Sequence, residues 1–319
     1  SGYAAQVHND YLYIGLSTGL YRAKMSEERD MSYTPGQFQL VKNSKGQVWN
    51  LSVVNGRLMM GHTSGAYIVN DDEAVPLDTK TGFWGFQPWQ QSSSFIVAGT
   101  YNGINFYTDS AGRIRNPVVN AQFESARFIV QHGGVIWAAH PYKGLYKISL
   151  QETGKTTMVK YDGRKGIRSA NHNKIYKIGR RLILTTDNGI FEYNDRENDF
   201  VHARDLEAVF EQKNVSYLQE DQFGNIWFSR DRKVGVVDRS GPVARLVYIP
   251  ELDDKIMAAG FEYIHVADSS NIFIAGEKGF FHINYTAYKK NKYPIRVQIR
   301  HVRSMQPGEK GLMYGGYAF

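Results

Sequence analysis

A chain of 319 residues can bury a large core, and its 42% apolar and 22% charged residues exclude an intrinsically disordered protein. It contains no cysteine, which excludes disulfides and thiolate metal sites and leaves the redox compartment open. Lys and Arg outnumber Asp and Glu by 38 to 31, for a net charge of +7. Apart from a patch near residue 230 and a basic tail from residue 289, this charge is scattered, which argues against a nucleic-acid ligand.

The composition favours short strands joined by tight turns. The chain holds 21 Tyr, 17 Phe and 5 Trp, with 31 Gly and only 9 Pro. Aromatic residues suit strands, and glycine suits tight turns. No apolar run approaches the roughly 18 residues that a membrane helix needs. We therefore predict an all-β protein, and a chain of this length should be searched for repeats first.

One strand-turn-strand pattern recurs from residue 13 onward. It consists of an apolar strand end, a small residue, a short polar turn, a glycine and a second apolar strand. The glycines lie 38 to 46 residues apart, which is the length of a propeller blade, at positions 19, 65, 103, 144, 189, 235 and 279. In a tight turn such a glycine takes a positive φ at low steric cost. The small residue four positions earlier in the simplest copies is expected where a neighbouring blade crowds the strand.

Each hairpin is flanked by two further strand-like segments. Upstream segments are predicted to be the inner strands around a central channel, at 51–54, 128–130, 175–178, 215–218 and 263–266. Downstream segments, such as 38–41 and 246–248, are predicted to be outer strands. The sequence thus predicts a seven-bladed β-propeller of four-stranded antiparallel blades, with aromatic and aliphatic side chains filling the space between blades.

The sixth unit, residues 217–229, has the most specific pattern in the chain. Its Glu220-Asp221, Gly224-Asn225 and Trp227 resemble the two-component regulator propeller repeat, and looser copies extend the resemblance over residues 3 to 288. Residues 289–319, with a strand at 293–302, resemble the beginning of the immunoglobulin-like three-tyrosine domain that follows such propellers. We therefore predict a propeller over 1–288 and a linker with the first strand of a truncated second domain over 289–319.

The resemblance implies the periplasmic sensor region of a membrane-anchored bacterial hybrid two-component system or a related one-component regulator. Such a region would recognise a carbohydrate, here an oligosaccharide, and signal to a kinase or DNA-binding output. No cofactor and no enzymatic activity are expected of this fragment. The alternative is a structural or protein-interaction propeller that assembles or dimerises the sensor. A propeller lyase or hydrolase would need acid, base or metal residues on one face, and the sequence presents no such set.

The catalytic-looking motifs have simpler explanations. Residues 15–19 match the G-x-S-x-G nucleophile elbow, but that elbow needs a helix after the serine and a strand is predicted after Ser17. The nine histidines never show metal-ligand spacing, and the acidic clusters at 71–73 and 253–254 lack the alternating ligands of a calcium loop. No catalytic residue and no metal site is predicted.

Ligand-binding candidates lie where the repeats differ, on the connections expected at one face. The densest aromatic cluster is 82–89, and equivalent connections carry tyrosine and arginine, which suit the apolar faces and hydroxyls of a sugar. The candidates are Trp84, Phe86, Trp89, Tyr101, Arg127, Tyr142, Arg168 and Arg230. The alternative for Trp84, Phe86 and Trp89 is packing between blades, and it applies also to Tyr101 and Tyr142, which lie inside turns.

Overall fold

The computed structural model describes residues 1–26, 31, 38–110, 112–151, 155–162, 167, 169, 171–290, 301–303, 311–314 and 317–318. Residues 116–120 and those beyond 300 are described by their backbone alone. Seven antiparallel sheets follow one another in chain order, each with its strands in sequence order from the inner edge outward. The predicted seven-bladed β-propeller is confirmed.

The blade strands agree with the predicted inner and outer segments. Their bounds are β1 Gly2–His8, β2 Tyr11–Leu16, β3 Gly19–Lys24 and β4 Gln39–Leu40; β5 Val48–Val54, β6 Arg57–His62, β7 Gly65–Asn70 and β8 Glu73–Asp78; β9 Phe83–Pro88, β10 Phe95–Thr100, β11 Gly103–Ser110 and β12 Arg113–Gln122; β13 Phe128–His132, β14 Val135–His140, β15 Gly144–Leu150 and β16 Thr156–Tyr161; β17 Lys174–Ile178, β18 Arg181–Thr186, β19 Gly189–Asn194 and β20 Asp199–His202; β21 Tyr217–Glu220, β22 Ile226–Arg230, β23 Lys233–Asp238 and β24 Arg245–Tyr248; and β25 Ile264–Asp268, β26 Asn271–Gly276 and β27 Gly279–Ile283. Among the described residues the seventh blade has three strands. A short helix, α1 (Arg204–Val209), links blades 5 and 6, and a 3-10 turn at Pro250–Leu252 precedes blade 7.

The hairpin between the second and third strands of each blade forms as the repeats predict. Six of the seven repeat glycines have positive φ, between 93° and 155°. The small residues before them are crowded by the next blade: a Cβ on Gly15 would lie 2.6 Å from the Val48 side chain, and one on Gly99 would lie 2.2 Å from the Ala126 carbonyl oxygen. This crowding sets how closely neighbouring blades approach.

The sixth blade corrects one detail of the predicted repeat. Its turn is made by Asp231 and Arg232, with φ of 48° and 58°, and Gly235 lies inside β23. The prediction of a turn glycine at 235 was wrong. Glycine is required there for packing, because a Cβ would lie 2.7 Å from the Val247 carbonyl oxygen on the neighbouring strand.

The core lies between the blades, as predicted. Each buried cluster joins two neighbouring sheets, and Trp137 and Trp227 are among the largest fully buried side chains. The ring closes where blade 1 packs on blade 7, because Ala5, Leu12 and Phe273 share one cluster. Tyr263 also donates a hydrogen bond of 2.9 Å to the Ala5 carbonyl oxygen across this closure.

The chain divides into two compact units, Ser1–Asn284 and Tyr285–Phe319. The second unit contains the helix α2 (Tyr285–Lys290) and a small antiparallel sheet of β28 (His301–Arg303), β29 (Gly311–Tyr314) and β30 (Tyr317–Ala318). Most of the strand predicted at 293–302 lies outside the described residues, so the start of a three-tyrosine domain stays a prediction. In the part of the chain that the structure describes, no helix is long and apolar enough to cross a membrane.

Candidate functional site

One end of the propeller gathers two kinds of connection. The turns between second and third strands lie beside the links from each outer strand to the next inner strand, and backbone hydrogen bonds join them. The Tyr101 amide donates to the Gly82 carbonyl at 3.0 Å, and the Asn173 amide donates to the Pro141 carbonyl at 3.0 Å. We call this end the turn face. The predicted convergence of these connections is confirmed.

A cavity of about 630 Å³ opens on the turn face. We call it the face cavity, and its walls come from the inner-strand starts of blades 4 to 7 and from the turns of blades 4 and 5. Its lining residues are Arg127, Phe128, Pro141, Tyr142, His172, Lys174, Thr186, Asp187, Asn214, Val215, Ser216, Ala259, Gly260, Phe261 and Glu262. Aromatic rings, amides and charges therefore share one open volume, as in sites for polar organic ligands.

A buried ion pair forms part of this lining. The Lys174 ammonium lies 3.0 Å from Glu262 Oε2, and the two side chains are only 7% and 8% exposed. Lys174 also donates to the Ser216 carbonyl oxygen at 2.6 Å. Burial lowers the pKa of Lys174, and the Glu262 charge opposes that shift. The pair joins blade 5 to the loop that precedes blade 7.

Arg127 lies between the lining of the face cavity and the aromatic rings of Phe261 and Trp84. Its guanidinium lies 3.9 Å from the centroid of the Phe261 ring and 5.2 Å from that of Trp84. It donates a hydrogen bond of 2.5 Å to the Gly260 carbonyl oxygen. Burial lowers the pKa of Arg127 to about 10, because desolvation disfavours the charged form. No carboxylate oxygen of a described residue lies within 4.0 Å of this guanidinium, so its charge is held by a carbonyl and by aromatic faces.

The loop at 258–262 crosses the mouth of the central channel. A turn at Ala259 and Gly260, with φ of 57° and 89°, projects Phe261 toward the far blades. The Phe261 ring stacks on Trp49 of blade 2 at 5.6 Å and meets Tyr3 of blade 1 at 5.6 Å. This one loop thus contacts blades 1, 2, 4 and 5.

Three bulges aim aromatic side chains at the same mouth. The register between inner and second strands shifts at the first residues of β1, β5 and β9, and the residues at the shifts are Tyr3, Trp49 and Trp84. A bulge re-aims a side chain that regular pairing would direct elsewhere. The Trp49 and Trp84 rings lie 4.8 Å apart, and the Trp49 indole donates to the Tyr101 hydroxyl at 2.7 Å. These rings form an aromatic platform beside the face cavity.

A second cavity, of about 380 Å³, lies along the inner strands. We call it the channel cavity. It shares Arg127 and Phe128 with the face cavity, and its other walls include Trp84, Tyr176 and Tyr217. Arg127 therefore stands between the two volumes.

The structure brings four of the predicted residues to the turn face. Arg127 and Tyr142 line the face cavity, Trp84 lines the channel cavity, and Tyr101 contacts the Trp84 ring at 4.8 Å. Tyr142 is 60% exposed at the cavity rim. Whether these residues bind a ligand stays a prediction.

The other predicted residues lie elsewhere. Phe86 and Trp89 are buried in the core clusters between blades, which is the alternative that the sequence left open for them, and Phe86 also borders the channel cavity. Arg230 ends β22 rather than lying in the turn, and its buried guanidinium donates to the Phe210 carbonyl at 2.8 Å. Arg168 lies outside the described residues.

Sequence reasoning missed Trp49, Lys174, Phe261 and Glu262. Trp49 could have been predicted, because an alignment of the inner-strand starts places Tyr3, Trp49 and Trp84 at equivalent positions. Lys174, Phe261 and Glu262 could not have been predicted, because their contacts depend on how the 258–262 loop crosses the ring.

The described residues contain no group of three or more His, Asp or Glu side chains placed to hold a metal ion. Ser17 lies in the turn before β3, so a strand follows it, as the sequence predicted. Asp187, at the rim of the face cavity, accepts a hydrogen bond from Ser169. The acids of this cavity are thus engaged by neighbouring side chains.

Comparison with known proteins gives a fold and no family. No protein-family model matches the chain, and no curated protein matches it. Among solved structures, the extracellular domain of a hybrid two-component system from B. thetaiotaomicron has a TM-score of 0.60 at 13% identity, over 89% of this chain and 40% of that one. The extracellular domain of a one-component system from the same organism has a TM-score of 0.50 at 14% identity, over 89% and 45%. The chain has the propeller fold of these domains.

The likeness extends beyond bacterial sensors. The WD40 domain of Toxoplasma gondii coronin has a TM-score of 0.58 at 13% identity, over 88% of this chain and 79% of that one. Similarity at this level therefore establishes the fold alone. The chain spans less than half the length of the two bacterial structures.

Proposed function

We propose that this chain is the extracytoplasmic ligand-sensing propeller of a membrane-anchored bacterial two-component or one-component regulator. Its ligand is an oligosaccharide, and the binding signal passes to a kinase or transcriptional output elsewhere in the protein. The observation that carries the proposal is the face cavity, an open site of about 630 Å³ with aromatic, amide and charged walls. The bacterial structures of the same fold, named as extracellular domains of such systems, support the location and the sensing role.

The chemistry of the cavity favours binding over turnover. Tyr142 offers an exposed ring on which the apolar face of a sugar can stack, and Asn214 and His172 offer hydrogen-bonding groups to hydroxyls. Glu262 is held by Lys174, and Asp187 is held by Ser169. A sugar-cleaving site would need such acids free to exchange protons with the substrate.

Calorimetric titration of residues 1–319 with a panel of neutral and acidic oligosaccharides tests the proposal. We expect saturable binding of one sugar class, and Tyr142→Ala should weaken it about tenfold because a stacking surface is removed. The matched control is Phe223→Ala. Phe223 is also an exposed aromatic, at 55%, but it lies on a hairpin at the opposite end of the propeller, so its removal should leave the affinity unchanged.

Absence of binding across the whole panel would remove the carbohydrate assignment. Equal losses in both variants would contradict a site on the turn face. Light scattering with and without the bound sugar measures whether ligand drives the homodimer expected of a sensor region. A dimer that forms without any sugar would instead favour the structural alternative.

A further inference from the structure

The Arg127 guanidinium is a half-buried charge with no carboxylate within ion-pair distance among the described residues. Buried charges in proteins are normally paired, because desolvation of an isolated ion is costly. The face cavity is lined by two cations, Arg127 and Lys174, and two carboxylates, Asp187 and Glu262. Lys174 and Glu262 neutralise each other at 3.0 Å, and Asp187 is half-exposed at the rim. Arg127 is therefore the cation that forms no ion pair within the described lining, although the Glu262 charge acts on it at longer range.

The donors of Arg127 are also in excess. A guanidinium has five N–H groups, and the described residues give it one acceptor, the Gly260 carbonyl oxygen. The aromatic rings around it accept no directed hydrogen bond in its plane. Its planar fork matches a carboxylate or sulfate, which can accept two parallel hydrogen bonds.

We infer that the ligand carries an anionic group, a carboxylate or a sulfate, that binds the Arg127 guanidinium at the junction of the face and channel cavities. This rests on the proposed function, and it narrows the ligand from oligosaccharides in general to acidic ones. Glu262 then lies near the bound anion and opposes it, while Lys174 tempers that repulsion. Removing the Glu262 charge should strengthen anion binding, whereas altering the Arg127 guanidinium should weaken it, so the direction of the change in affinity tests the inference.

The test follows the Arg127 side chain directly. In a ¹⁵N-labelled sample of residues 1–319, the Arg127 Nε–Hε signal is assigned by its loss in Arg127→Gln. Sodium glucuronate, sodium sulfate and, as the neutral control, glucose are then titrated. We expect a saturable shift of this signal with at least one of the two anions and none with glucose. Comparison of glucuronate with sulfate shows which anionic group the site prefers.

Two further variants separate an anion site from a structural role. Glu262→Gln removes the opposing charge and should tighten anion binding about threefold or more. Arg127→Lys keeps the charge without the fork and should weaken binding about tenfold. A merely structural role for these residues would weaken binding in both variants. Because Glu262→Gln leaves Lys174 without its partner, its unfolding transition is measured alongside, so that a loss of folding is not mistaken for a loss of anion binding.

No shift of the Arg127 signal with either anion, or an equal shift with glucose, would overturn the inference. Such a result would leave the oligosaccharide titration standing, since a neutral sugar could still bind. Conversely, anion binding at Arg127 with no affinity for any sugar would retain the anion site and remove the carbohydrate assignment.

Discussion

At the scale of single residues, Asp221 explains the most specific motif in the sequence. Its Oδ1 accepts hydrogen bonds from the Phe223 and Asn225 amides, both at 2.9 Å. Its Oδ2 accepts from the Asn225 side chain at 3.1 Å and from the Trp227 indole at 3.0 Å. One carboxylate thus organises the hairpin between β21 and β22 and ties it to the core. The motif is structural, and it marks the fold rather than the ligand.

Asp221→Ala should lower the free energy of unfolding by about 2–4 kcal/mol, because four hydrogen bonds lose their acceptor. Asp221→Asn keeps the Oδ1 acceptor and should cost less. Glu277→Ala is the control, since its side chain is 62% exposed and its surface ion pair should contribute less than about 1 kcal/mol. Urea denaturation measures all three. If Asp221→Ala matched the control, the motif would have no structural role.

The candidate site could be predicted only in part from its residues. Trp84, Tyr101, Arg127 and Tyr142 follow from the position of the turns and links in each repeat. Phe86 and Trp89 were chosen from the same aromatic cluster, but Phe86 within β9 and Trp89 just beyond its end are both buried in the core. Lys174 and Glu262 form an ion pair although they are 88 residues apart in sequence, and no local sequence pattern predicts such a contact.

At the scale of elements, ion pairs add specific ties between blades that already pack through apolar surfaces. Arg57, at the start of β6, donates two hydrogen bonds, of 2.9 and 3.0 Å, to the Asp109 carboxylate of β11. Asn55 adds a third at 2.7 Å. The Arg57 guanidinium lowers the pKa of the Asp109 carboxyl below its usual range. The sequence could not predict this pair, because it joins blades 2 and 3 across 52 residues.

This pair should give stability a defined pH dependence. Because the native pKa of Asp109 is lowered, its contribution is present above the ordinary pKa of about 4 and is lost as the pH falls through the lower native value. The stability difference between wild type and Asp109→Asn should therefore shrink between pH 6 and about pH 3. Chemical denaturation across this range measures it. In an Arg57→Gln background the shrinkage should disappear, and its persistence there would assign the effect to another group.

At the scale of the whole molecule, the propeller was predictable because every blade must meet the same packing requirement against its neighbour. A small residue and a turn glycine must recur wherever one blade crowds the next, so seven copies reveal the ring even without a family match. The exceptions follow the same physics. Gly235 kept the spacing of the repeat yet serves close packing, since Asp231 and Arg232 already supply the positive φ of that turn.

Closure of the ring is the feature that no single repeat can specify. Among the described residues, blade 1 is built from β1 to β4 and blade 7 from β25 to β27, so none of the strands described here is exchanged across the junction. The two blades meet through side-chain packing and through the Tyr263 hydroxyl, which donates to the Ala5 carbonyl. Burial raises the pKa of Tyr263 to about 12, so the hydroxyl keeps its proton at all ordinary pH values.

Tyr263→Phe removes the hydrogen bond to the Ala5 carbonyl oxygen and should therefore weaken the junction of blades 1 and 7 more than the other interfaces between blades. We expect a loss of about 1 kcal/mol in the free energy of unfolding, with the exposed Tyr142→Phe as a neutral control. Amide hydrogen exchange should quicken in β1 and β25 relative to β13 and β14 on the far side of the ring, because a weakened junction opens locally before the whole fold does. Uniform acceleration in all four strands would instead mean that the ring opens only by global unfolding, with its closure no weaker than any other interface between blades.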